Sequence, residues 1–148
     1  MAKKSQIIFM SGKEKALTEL FAGDNPIFGY LAIGFASTEN GFEDPGVNGE
    51  IQETGFYELE QTNGYNRIPL QLHSDNPVTV DEDTGKVLVK FSATLDENNI
   101  QNATNINQIA VVDSGTIGAD TKIYSATTFP TFEKTQDSSI TFVIGFRL

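Results

Sequence analysis

The sequence predicts a mainly β protein, an antiparallel β-sandwich with one short N-terminal amphipathic helix. Three observations carry that class. Short apolar stretches recur from residue 30 onward, separated by Asn, Asp, Gly and Ser turn signals. No helical pattern falls between them, so the βαβ units of a parallel sheet are missing. Phe is the favoured large side chain (11), Gly is plentiful (13) and Trp is absent, a balance that suits strands joined by tight turns.

A chain of 148 residues can bury a sizeable core as one domain. With 39% hydrophobic and 20% charged residues it has a globular composition, which argues against wholesale disorder. No internal repeat or linker divides it. The expected organisation is a basic N-terminal arm over 1–10 and a single sandwich domain over 11–148.

The helix is expected over 12–22, within "SGKEKALTELFAG". Ser11 is placed as the N-cap and Glu14 completes a capping box, satisfying orphan backbone donors. Leu17, Leu20 and Phe21 form one apolar stripe to lay against a sheet. Gly23 is expected to end the helix in a left-handed conformation.

The strands follow in order. In "YLAIGFAS" (30–37), Leu31, Ile33 and Phe35 alternate with small residues, as in a half-buried strand. Residues 38–63 are acidic and Gly-rich and carry no Lys or Arg, reading as a long loop with a short strand near Phe56–Leu59. Loops of that length usually bind something, so this is the expected contact region. "RIPLQL" puts Ile68, Leu70 and Leu72 on one face and Pro69 on the other, and proline confines the strand to an edge. After an acidic turn at Asp83–Gly85, Val87, Val89, Phe91, Ala93 and Leu95 share one face, with Lys86 and Lys90 on the wet one. "INQIAVVD" carries a continuous apolar run, Ile109–Val112, that suits a central buried strand. "TKIYSATTF" follows the turn "SGTIGAD", and "ITFVIGF" aligns Ile140, Phe142, Ile144 and Phe146.

Charge and composition exclude several functions. The net charge is −10. Residues 1–15 hold Lys3, Lys4, Lys13 and Lys15 against Glu14, a net of +3, and the rest holds 6 basic and 19 acidic groups, a net of −13. An acidic body repels phosphate backbones, so no nucleic-acid partner is expected. The absence of Cys excludes disulfides, thiolate metal sites and a cysteine nucleophile. The apolar run Ile7–Met10 is too short for a signal-peptide core or a membrane span. The expectation is a soluble product made in the cytoplasm without secretion, with no membrane partner.

The inventory for catalysis is thin. His73, the only histidine, sits beside Ser74 and Asp75, but neighbours in sequence are not a triad. "DEDTG" (81–85) has the alternating carboxylates calcium favours, yet lacks the later ligands of a calcium loop, and a hairpin turn explains it. "VDSGTIGAD" has neither the lysine nor the helix of a phosphate loop. "NAT" (102–104) matches a glycosylation sequon that matters only in a secreted protein. No catalytic residue, metal site or cofactor is expected. Tyr30, Tyr57, Tyr65 and Tyr124 read as packing or interface residues.

The order of these motifs resembles the small virion proteins of tailed bacteriophages, described as head decoration, auxiliary capsid or tail-fibre-like proteins. The resemblance runs through "ALTELFAG", "GYLAIGFAS", the acidic glycine loop, "NGYNRIPLQL", "DTGKVLVKFSATL", "INQIAVVDSG", "TKIYSATTFP" and "ITFVIGF". It implies a non-enzymatic protein of the virion that binds and stabilises the capsid, as a dimer or trimer. A tail, collar or head-fibre component is the alternative, and a carbohydrate-binding module or hydrolase, with carboxylates supplied by Glu53, Glu58 and Glu60, is a third. The expected partner contacts are Lys3, Lys4, Phe42, Phe56 and Tyr57.

One of only two arginines, Arg67, follows the Asn63-Gly64 turn in "NGYNRIPL". Tyr65 and Arg67 share a strand face, just downstream of carboxylates with no other cation nearby. The expectation is a loop anchor made of Tyr65, Arg67, Glu58 and Glu60, in which Arg67 pairs with one of Glu53, Glu58 or Glu60.

Overall fold

The computed structural model describes residues 8–37, 55–61, 64–100, 102–117 and 121–148. One helix, α1 (Met10–Ala22), precedes eight strands. These are β1 (Tyr30–Gly34), β2 (Ile68–Pro69), β3 (Gln71–Leu72), β4 (Val78–Asp81), β5 (Lys86–Leu95), β6 (Thr104–Val112), β7 (Ile123–Lys134) and β8 (Ile140–Arg147). Every pairing among them is antiparallel. The first sheet runs β2-β1-β6-β7; the second is built on β5, with β8 along one side and β3 and β4 in tandem along the other. The protein is mainly β, two antiparallel sheets with a single short helix. No helix among the described residues is long and apolar enough to cross a membrane.

The core lies between the sheets. Leu31, Ile33, Ile109 and Val111 come from the first, and Val87, Val89, Phe91, Ala93 and Leu95 from the second. The expected alternation in β5 therefore sets its buried face. α1 contributes Leu17 and Phe21. The Phe21 ring stacks on Phe146 (centroids 4.0 Å, planes 10° apart) and meets Phe91 and Tyr124 edge-on at 5.3 and 5.0 Å.

The helix differs from expectation at both ends. It starts at Met10 with Phe9 as N-cap and no side-chain cap. The Lys13 amide bonds the Phe9 carbonyl (3.0 Å), which draws Ser11 into the first turn and dissolves the capping box. Lys13 then reaches Gly85 of the β4–β5 turn through its ammonium (Nζ to carbonyl O, 2.8 Å). At the other end Gly23 has φ −74°, an extended rather than left-handed conformation.

Two strands also differ. β1 is buried on both faces, not one. Its outer face, Ala32, packs with Ala110 and Val112 beneath Phe56, so chain from the 55–59 segment covers what the alternation left open. "RIPLQL" is split between the sheets: β2 pairs with β1, and β3 pairs with β5. Leu70, at the crossing, is buried, but Leu72 is 42% exposed, because the chain has changed sheets and faces by then. Pro69 does occupy an edge strand.

The acidic turn forms for backbone reasons. Asp81 Oδ1 accepts from the Asp83 and Thr84 amides (3.0 and 3.3 Å), and Gly85 takes a positive φ of 69°. Hydrogen bonds from Thr84 hold the exposed Asp81 carboxyl below its ordinary range.

Candidate functional site

Three of the four buried polar side chains among the described residues, Arg67, Asn107 and Gln108, gather where the chain leaves β1 and returns to it; the fourth, Lys134, ends β7 and bonds the Thr135 carbonyl. The return segment runs antiparallel to the end of β1: Phe35 N–H bonds Tyr57 O (2.9 Å) and Leu59 N–H bonds Ile33 O (3.0 Å). The short strand expected near Phe56–Leu59 is therefore a single bridge, Gly34 to Glu58. β2 covers the same side of β1 at Tyr30 and Leu31. Between these partners the Ile33 N–H finds no backbone acceptor. It donates instead to the Tyr65 hydroxyl (3.0 Å).

That hydroxyl donates in turn to Glu58 Oε2 (2.5 Å), and Arg67 completes the group. Its guanidinium grips Glu58 with two prongs, Nη2 to Oε1 at 2.7 Å and Nε to Oε2 at 2.8 Å. Nη1 serves three oxygens on the far side, Ser114 O (2.8 Å), Thr116 O (3.0 Å) and Thr121 Oγ1 (2.9 Å). The planar fork of arginine fits both tasks at once, which a lysine could not do. Arg67 thus joins the return segment to the loop between β6 and β7.

Burial, and next the bond to Glu58, push the Tyr65 phenol far above its ordinary value of 10.0. It remains a neutral donor. The bond to Glu58 raises the Arg67 guanidinium further, against the opposing effect of burial. The carboxylate is tied at both oxygens, the phenol keeps its proton and the guanidinium is bonded through all three nitrogens. This geometry clamps chain segments together.

A second clamp comes from β6. Asn107 and Gln108 are both buried within the apolar run of that strand. Asn107 bonds both backbone groups of Ala36, accepting from N–H and donating to C=O at 2.8 Å each. Gln108 accepts from Tyr57 N–H (2.9 Å) and donates to Gly55 O (2.8 Å). Each amide acts as a short piece of strand. Gly34 permits the approach, since a Cβ there would lie 2.6 Å from Tyr57 O and 2.9 Å from the Phe56 ring. No buried side-chain polar atom among the described residues lacks a hydrogen-bond partner.

The sequence-predicted residues are distributed unevenly around this node. Tyr65, Arg67 and Glu58 converge, while Glu60 is exposed and takes no part in the guanidinium's bonds. Phe56 packs, partly buried, on the outer face of the first sheet. Tyr57 is 59% exposed. Lys3, Lys4, Phe42 and Glu53 lie outside the described residues. His73 pairs through its backbone with Lys90 O (3.0 Å), and no bond links its imidazole to Ser74 or Asp75. Among the described residues no group of three His, Asp or Glu side chains is placed to hold a metal.

Sequence reading passed over Asn107, Gln108 and Thr121. The signal for the first two was present: consecutive amides inside "INQIAVV" must find partners if the strand is buried.

No protein-family model, curated protein or solved structure matches this chain.

Proposed function

We propose that the protein is a non-enzymatic structural component of a tailed-bacteriophage virion, an auxiliary protein that binds the capsid surface and stabilises it. One observation carries the reading most. The buried polar clamps hold the two stems of the acidic stretch 38–54: Asn107 holds Ala36 on one side, and Gln108, Tyr65 and Arg67 hold Gly55, Tyr57 and Glu58 on the other. Three of the four buried polar side chains among the described residues fix the two ends of this stretch, as a contact segment carried on a rigid scaffold requires. The stretch itself carries Glu39, Glu43, Asp44, Glu50 and Glu53 and no cation, so a basic patch on the capsid is its natural complement. The exposed Ile8 and Phe9, just before α1, offer apolar area to a partner.

The test is to mix purified protein with capsids assembled without it and to measure bound copies against added protein. Saturable, stoichiometric binding is expected, together with a rise in the temperature at which the capsids open. Reversing two charges of this acidic stretch, Glu43→Lys with Asp44→Lys, should weaken binding without unfolding the protein. Absence of saturable binding overturns the proposal.

A further inference from the structure

The free edge of β8 is built differently from every other edge of the described sandwich. β2 and β3 have two residues each, β4 has four and ends on Asp81, and β2 carries Pro69. β7 is long, but it contains Pro130 and its ladder with β6 shifts register twice. These are the usual protections against edge-to-edge association. β8 is neither short nor broken by proline or a register shift, and its only charge is the terminal Arg147. Its eight residues pair in unbroken register with β5, and Ile140 through Phe146 include no charge and no proline.

The ladder shows which backbone groups are open. Leu148 and Val87 exchange both of their bonds (3.0 and 2.9 Å). Bonded and non-bonded pairs alternate in an antiparallel ladder, so Ile140, Phe142, Ile144 and Phe146 turn their N–H and C=O groups toward β5. Thr141, Val143, Gly145 and Arg147 turn theirs outward, where no described strand pairs with them. The core is open at the same place. Val87, Val89 and Phe91 on β5 are fully buried, but Phe142, Ile144 and Phe146 on β8, and Phe129 and Phe132 on β7, are only partly covered.

We propose that β8 pairs antiparallel with β8 of a second copy of this chain, joining the second sheets of two protomers across a two-fold axis. The occupant is read from self-complementarity. With the axis at Ile144, Thr141 stands opposite Arg147 and Val143 opposite Gly145, so all the outward backbone groups of both strands are used. On the core face the same register sets Phe142 opposite Phe146 and Ile144 opposite its own mate, giving aromatic cross-strand pairs. Two chains of net charge −10 repel elsewhere, and this strand, which carries no acidic residue, is where they can meet. A two-fold contact closes on itself and stops at a dimer. The inference does not rest on the virion reading.

Sedimentation of the full chain over micromolar concentrations should show a monomer–dimer equilibrium. Val143→Pro removes an N–H that β5 does not use, and should weaken association by at least about tenfold, the effect of losing one buried bond. Hydrogen exchange on the unaltered protein checks the geometry without a variant. Raising the concentration should slow exchange at Thr141, Val143, Gly145 and Arg147, and change Phe142, Ile144 and Phe146 far less. A chain that stays monomeric throughout overturns the proposal, as does a dimer whose outward amides exchange no more slowly.

Discussion

Arg67 and Glu58, nine residues apart in sequence, meet in a two-pronged ion pair with N–O distances of 2.7 and 2.8 Å, and the side chain of Arg67 is only 3% exposed. Removing one partner of a buried pair strands the other, at a cost of about 3 kcal/mol or more. Arg67→Ala should therefore lower stability by ~3 kcal/mol, read from the urea midpoint. Arg67→Lys should rescue little of it, since an ammonium cannot hold both Glu58 oxygens and the Ser114, Thr116 and Thr121 oxygens together. A variant as stable as the parent removes the clamp from this account.

Tyr65 sets an alkaline limit. Its phenol is raised above the ordinary value of 10.0, so the unfolded chain loses that proton first. Stability from this group is complete below pH 10 and falls as pH rises above it, because the folded state then binds more protons than the unfolded one. Tyr65→Phe should be less stable at pH 7, having lost the bonds to Ile33 and Glu58, and its stability should fall less steeply above pH 10. Parallel pH–stability curves for the two proteins would contradict this.

Gly34→Ala tests the close approach of the return segment. The new Cβ would meet Tyr57 O at 2.6 Å, a backbone atom that can move only by breaking its bond to Phe35. The expected cost is about 1–3 kcal/mol, typical of overpacking. Limited proteolysis should show faster cleavage between residues 37 and 61 while β5 and β6 stay protected.

Asn107→Leu should be as harmful as a core truncation despite adding apolar bulk. It leaves the Ala36 N–H and C=O without their partners, at roughly 2 kcal/mol for unmet buried groups. Thermal unfolding would show it, with the secondary structure of the folded protein unchanged by circular dichroism.

Much of the architecture was legible because it depends on local periodicity. The two-residue alternation of "KVLVKFSATL" sets the buried face of β5 whatever lies around it. The apolar residues of "INQIAVV" marked a central buried strand, and β6 is that strand. Where the reading went astray, a long-range contact outweighed a local preference. Ser11 and Glu14 form a good capping pattern, but α1 begins a residue before Ser11. Leu72 follows the alternation of its segment, but the segment changes sheets at Leu70. Only part of the candidate site could be read in the same way. A lone arginine beside a cation-free acidic segment implied an ion pair, whereas the choice of Glu58 needed the fold.

By itself, then, the sequence determined which residues turn inward along β5 and β8, the presence of the N-terminal helix, and the lack of cysteine chemistry. These follow from spacing along the chain and from composition, neither of which needs a partner element. Tertiary structure alone decided how the ends of segments are satisfied. Buried N–H and C=O groups must be bonded by whatever is near in space. That is why the Tyr65 hydroxyl answers Ile33, Asn107 answers Ala36, and Gln108 answers Gly55 and Tyr57 across separations of 32 to 71 residues.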